Sequence, residues 1–414
     1  MLLSMVQEGE FMKAIERFLK YVSFDTQSDE ESLTSPSTEK QKKLGAYLLQ
    51  ELKEMGVDDA HMDEYGYVYG FIPSNCGSKN TIGLISHMDT SPDASGKDIH
   101  PHFVTFHGED IEIGNGKKLT KEELKGKEGH ELIVTDGTTL LGADDKAGIA
   151  IIMEMVYQRM NSKKDYPNFI ICFTPDEEVG RGTEHFNYDW YKERAKNAIT
   201  YTMDGGRIEE INYETFNAAS AKITIHGKSI HPGSAKDKMI NSQIVAMELF
   251  RLLPENERPE HTENYEGFYH LTNMKGDVET TQLSFIIRDH SREKFEMRKE
   301  KMKEVVATIN EKYHDQLVEL VLKDSYYNMR EIIEKHFDMI DLVRECMLEN
   351  GIVAQEIPVR GGTDGATLSF HEIPCPNLGT GGENFHGPLE YLDVTDFYRM
   401  IKVLETLFAK KILK

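Results

Sequence analysis

NFIICFTPDEEVGRG, residues 168–182, carries five consecutive apolar residues, Phe169 to Phe173, into a proline, three acids and two glycines. A short apolar run closed by breakers reads as a strand buried on both faces. TIGLIS (81–86) and AITYTM (198–203) share that texture, and the helical pattern KAGIAIIMEMVYQRM (146–160) precedes the quoted strand. Strands apolar on both faces that alternate with helices imply an α/β domain whose sheet is covered on both sides. Adjacent residues of a regular strand face opposite ways, so Glu177 and Glu178 share one site only where the strand has ended. Pro175 and Gly180 supply that break.

Outward from this strand, Phe11, Ala14, Ile15, Phe18, Leu19 and Val22 predict an N-terminal helix. A second amphipathic helix starts near Glu39, carries Leu44, Leu48, Leu49 and Leu52, and ends at Gly56. Residues 94–135 are polar and rich in Gly and Lys, and read as an insertion with a hairpin or irregular structure. From about Asn217 the texture changes. An alternating strand (218–227), a helix (240–253), the strand TQLSFIIR (281–288), a long charged helix (292–313) and QLVELVL (316–322) predict a compact α+β unit inserted into the first domain. Helices near 338–350 and 394–413 return to α/β texture.

The chain has 414 residues, too many for one ordinary core, so two domains are expected. A formal charge of −23 with no basic cluster excludes nucleic acid as a partner. No apolar run reaches the 18 or so residues of a membrane span. Cys76, Cys172, Cys346 and Cys375 lie far apart with no C-x-x-C pair, and the N-terminus has no secretory leader pattern, so a cytoplasmic protein is expected.

Chemistry concentrates where strands end. His87 and Asp89 follow TIGLIS in SHMDTSPD, two apart and therefore on one side of an extended segment. A zinc-binding imidazole usually donates its other nitrogen to a carboxylate, the part assigned to Asp89. In TLLGADDKAG a strand-like run meets Gly142, Asp144 and Asp145 ahead of a helix, and spacing does not choose between the two aspartates. Asp204 leaves the strand in YTMDGG, and GTGGENFHGPLEY holds Glu383 and His386 in a glycine-rich loop. Two histidines with several carboxylates suit zinc or a similar divalent ion, and too many carboxylates remain for one tetrahedral site. Two ions are expected.

The order HMDTSPD, LLGADDKAG, FTPDEEVGRG, YTMDGG, IHPGSAK, RGGTDGATLSF and LGTGGENFHGPLEY resembles the peptidase T branch of the M20 co-catalytic zinc metallopeptidases, over nearly the whole chain. The resemblance implies a mixed-sheet zinc-exopeptidase catalytic domain in two parts, 1–215 and 324–414. An α+β lid and dimerisation domain, 216–323, would be inserted between them and would form a homodimer. It implies two Zn2+ per subunit, with Co2+ or Mn2+ as alternatives, held by His87, Asp144, Glu178, Asp204 and His386. Asp144 would be the shared ligand because the family places that aspartate two residues before a lysine, here Lys146. Asp89 would steady His87, and Glu177 would be the general base.

Substrate contacts are implied at His231, Asn241, Arg288 and Arg360. Each also has a plainer reading: His231 as a loop cap, Asn241 as a helix cap, Arg288 as the partner of a nearby acid. Arg360 is the most suggestive, since a guanidinium matches a carboxylate bidentately. The implied reaction is removal of the N-terminal residue from a short peptide, above all a tripeptide, by a di-zinc-bound hydroxide. A dipeptidase, carboxypeptidase or N-acyl amino acid deacylase on the same scaffold is the alternative. A metal-dependent binding protein without turnover is a further one, which the intact DEE and paired histidines oppose.

Overall fold

The structure, a computed structural model, describes residues 13–413. Phe11, the first apolar position of the predicted N-terminal helix, lies outside them. The chain divides into two compact units. One takes the described residues up to Tyr213, Ile332–Ile357 and the chain from Thr363 onward; the other takes Glu214–Glu331 and Pro358–Gly362.

In the first unit the three apolar runs are central strands of a mixed sheet. Thr81–His87 pairs in parallel with both Asn168–Thr174 and Ala198–Gly205. Val68–Ile72 runs antiparallel to Asn168–Thr174, and Asn377–Gly379 continues the sheet beyond Ala198–Gly205. Every residue of Thr81–His87 is buried, as expected of a strand covered on both faces. On one face Tyr69, Ile85, Ile170 and Cys172 join Tyr191, Leu368 and Cys375 in a core cluster. The helix Ala143–Asn161 packs on Thr81–His87 and Ala198–Gly205. The predicted helices appear as Ala14–Val22, Gln41–Glu54, Asp338–Glu349 and Val394–Leu413.

One local expectation changes and another gains detail. TLLG is not a strand; it is a loop running into the helix at Ala143. Residues 94–135 do contain a hairpin, Ile111–Gly114 with Lys117–Leu119, but the segment is not a separate appendage. Its strands His102–Thr105 and Glu131–Val134 form a sheet with Gly382–Glu383 and Tyr391–Asp393 from the far end of the chain, over a core of Phe106, Leu132, Val134 and Tyr391.

The second unit is a four-stranded antiparallel sheet in the order Phe268–Gly276, Thr280–Asp289, Asn217–His226, Val318–Tyr326. Period-two alternation places Ala219, Ala221, Ile223 and Ile225 in a core with Leu249 of the helix Ser242–Arg251 and Met302 of the helix Arg292–Tyr313. Sequence reading omits the strand Phe268–Gly276. It is an edge strand whose last five residues are exposed, so no apolar alternation marks it.

Candidate active site

The carboxyl ends of the parallel strands gather the site, where open α/β sheets collect their ligands. His87 closes its strand in register with Thr174, and Asp204 is the penultimate residue of Ala198–Gly205. After Thr174 the chain makes a single turn, Glu177–Val179, flanked by Asp176 and Gly180 in the left-handed region. Asp176, as well as Pro175, therefore ends the strand. Its buried carboxylate accepts from Ser37 N and Gln41 Nε2, both at 2.6 Å, which fixes this unusual conformation.

The turn lays both glutamates along one site. The Asp89 carboxylate accepts the backbone N–H of Glu177 at 3.0 Å and of Glu178 at 3.2 Å. The His87 ring is oriented by the Asp89 backbone: Nδ1 lies 3.1 Å from the Asp89 carbonyl, and the carboxylate is 3.4 Å away. Asp89 thus holds the ring and the glutamate pair together.

The two aspartates left open by spacing separate cleanly. Asp145 points inward, where its carboxylate accepts from the Ser86 hydroxyl and from His87 N. Asp144 stands between the histidines, with Oδ1 2.8 Å from His87 Nε2 and Oδ2 3.3 Å from His386 Nε2. His87 Nε2 is also 3.3 Å from Asp204 Oδ1, and His386 Nε2 is 2.9 Å from Glu178 Oε2. Thus His87, Asp89, Asp144, Glu177, Glu178, Asp204 and His386 converge in the first unit.

Crowded carboxylates in a buried place hold protons. Burial, with the nearby Asp144 charge, pushes Glu178 up to about 8. Burial likewise pushes Asp204 up to about 6, and burial with the Asp204 charge drives Glu177 well above the usual carboxylate range. Asp144 goes the other way: burial opposes its ionisation, but hydrogen bonds from His386 and His87 hold it well below that range. Hydrogen bonds to Asp144 and Glu178 raise His386 to about 11.

The donor set fits a cation. His87, Asp144 and Glu178 place ligand atoms within 4.8 Å of one another, as do His87, Asp145 and Asp204. Glu178 Oε1 is buried without a hydrogen-bond partner, an orphan that a cation would satisfy. A third group, His130, Asp393 and Asp396, has similar spacing. Lys127 Nζ already sits there, 3.1 Å from Asp393 and 3.3 Å from Asp396, so it is an ion-pair network.

Two buried acids around the site escape sequence reading. Asp364 accepts from Thr174 Oγ1 at 2.7 Å, and a Cβ on Gly182 would lie 2.0 Å from Asp364 Oδ1. Both ends of the acidic turn therefore rest on one carboxylate. Glu390, four residues beyond His386, is buried and is pushed up to about 7 by burial. The signal for each is an acid in an apolar or glycine-rich setting with no basic neighbour in sequence.

The four residues implied as substrate contacts all belong to the second unit. Asn241 caps the helix Ser242–Arg251 by accepting from Gln243 N, and His231 Nδ1 accepts from Gly233 N. Arg288 donates to the carbonyls of Ile287 and Ala219. Arg360 donates to the carbonyls of Asn264 and Glu266 at 2.7 and 3.0 Å and lies over the Phe216 ring.

A family model described as a peptidase dimerisation domain matches residues 213–316. Over 400 residues the chain is 49% identical to the peptidase T of Caldanaerobacter subterraneus subsp. tengcongensis, which covers 95% of this chain and 97% of the relative. The aminopeptidase PepT of Bacillus cereus shares the fold with a TM-score of 0.75 over 97% of this chain and 98% of that one, at 21% identity. A tripeptidase from Staphylococcus aureus does so with a TM-score of 0.77 over the same shares, at 20% identity. With nearly half its residues shared over almost its full length, the chain belongs to the peptidase T branch of the M20 metallopeptidases.

Proposed function

We propose that this protein is a metal-dependent aminopeptidase that removes the N-terminal residue from short peptides, tripeptides above all. The observation that carries the reading is the meeting of two imidazoles on the two oxygens of Asp144, beside an orphaned Glu178 oxygen. His87 and Asp204 would hold one divalent ion, His386 and Glu178 a second, and Asp144 would be common to both. Imidazole with carboxylate suits Zn2+, and Co2+ or Mn2+ can take its place. Two such ions supply Lewis-acid polarisation of the scissile carbonyl and a water acidic enough to attack near neutral pH.

The rest falls to the chain. Glu177, held by its backbone to Asp89, takes the proton of the attacking water and returns it to the departing amine. General acid–base transfer of this kind is worth roughly 10²–10⁴-fold in rate. His231, Asn241, Arg288 and Arg360 are the proposed substrate contacts. Residues 216–323 are the proposed lid and dimerisation domain, through which a homodimer forms, with support from the 213–316 family match. A cytoplasmic setting accords with cysteines that form no disulfide among the described residues.

The end of the peptide that is recognised separates this reading from a dipeptidase, carboxypeptidase or deacylase. A tripeptide should be cleaved to a free amino acid and a dipeptide, and its N-acetylated form should resist. Robust cleavage of the acetylated peptide sinks the aminopeptidase reading.

A further inference from the structure

Glu390, in the GPLEY end of the His386 loop, is 1% exposed and has no part in the reaction above. Its carboxylate accepts three backbone hydrogen bonds from one short segment. Leu141 N and Gly142 N donate to Oε2 at 2.7 and 2.8 Å, and Asp144 N donates to Oε1 at 3.0 Å.

This segment is not a regular first turn. Gly142 is left-handed at φ 77°, and Asp144 and Asp145 have non-helical φ/ψ of −82°, 105° and −120°, 32°. N–H groups at a helix start have no intrahelical partner, and in a buried place each needs an acceptor. The same segment must present the Asp144 side chain to His87 and to His386 at once. Glu390 grips the Asp144 N–H itself, from a position four residues beyond His386 on the same loop.

We infer that Glu390 is a positioning residue for Asp144: it fixes the Leu141–Asp144 backbone so that the Asp144 carboxylate is held ready for both ions. The inference rests on the ligand reading above. An amide at this position keeps one oxygen for Leu141 N and Gly142 N, while its NH2 faces the Asp144 N–H, donor against donor. The damage from Glu390→Gln thus falls on the backbone of the shared ligand.

The test titrates the metal-stripped full-length chain with Zn2+ alone against a chromophoric chelator. The wild type should take up two equivalents. Glu390→Gln should weaken at least one of them by roughly 10–100-fold, the usual effect of losing a group that orients a metal ligand. Asp63→Asn is the control, since it makes the same chemical change where a carboxylate accepts the backbone N–H groups of Tyr65 and Tyr67 in the same unit; its Zn2+ affinity should match wild type. Wild-type affinity in Glu390→Gln overturns the inference and leaves the ligand reading standing, as does an equal loss in both variants. If the wild type binds no Zn2+, the ligand reading falls and the inference with it. Glu390→Asp, which keeps the charge but shortens the reach, supplies the same comparison where the amide variant does not fold, and undiminished Zn2+ affinity there also overturns the inference.

Discussion

At the scale of single residues, the two adjacent glutamates differ because the backbone turns between them. Glu178 reaches His386, while Glu177 is held by its backbone, its N–H donating to Asp89 and its carbonyl accepting from Gly180 N at 2.7 Å. The turn keeps its shape because Asp364 supports it at Thr174 and at Gly182. A methyl group at Gly182 would press into the buried Asp364 carboxylate, 2.0 Å away, and overpacking of this kind costs about 1–3 kcal/mol. Gly182→Ala should therefore lower the free energy of urea unfolding by that much and lower kcat; an unchanged unfolding free energy would mean the turn does not rest on Asp364. The proposed ligands are legible in sequence because each sits in an acid- or histidine-bearing motif, and His87, Glu178 and Asp204 do so at strand ends. Asp364 and Glu390 leave only a weak signal, an acid in a glycine-rich or apolar setting, since their work is to accept backbone or hydroxyl donors that only folding brings near.

At the scale of elements, the loop Gly382–His386 is tied down by charge. Glu383 lies 3.0 Å from Lys127 Nζ and 2.9 Å from Arg207 Nε, and Lys127 also faces Asp393 and Asp396. The segment 94–135 thus reaches the base of the His386 loop through a buried lysine. Replacing Lys127 by Met takes a shared cation from the buried Asp393 and Asp396 and from the half-buried Glu383, and breaking a buried pair of this kind costs about 3–5 kcal/mol. Guanidinium unfolding of Lys127→Met checks this, and a loss below about 1 kcal/mol would show that Arg207 on Glu383, Arg399 on Asp396 and His130 on Asp393 suffice. This role is invisible in sequence because Lys127 and Asp393 are 266 residues apart. The TLLG run misleads for a related reason: it has strand composition, but Glu390 takes the N–H groups that a sheet would use. Thr81–His87, Asn168–Thr174 and Ala198–Gly205 are readable because each is a short, mostly apolar run bounded by breakers, as burial on both faces requires.

At the scale of the whole molecule, the match to a peptidase dimerisation domain and the cluster of cation donors lead to two expectations. Sedimentation at micromolar concentration should give twice the 47.3 kDa chain mass; a single-chain mass at all concentrations would remove the homodimer. Chelation should abolish turnover and lower the unfolding temperature, because an ion bound only by the folded state stabilises it by about 2.7 kcal/mol at a hundredfold excess over Kd. Readdition of Zn2+ should restore both, and turnover that survives complete metal removal would contradict the metal-dependent reading.

The central claim is a division of labour in which five side chains hold two ions and Glu177 carries the proton. It is tested most directly by tripeptide turnover of Glu177→Ala, measured on a sample with its metal content quantified. Two equivalents of Zn2+ with kcat reduced at least about a hundredfold is the predicted result; two equivalents with wild-type kcat would contradict it.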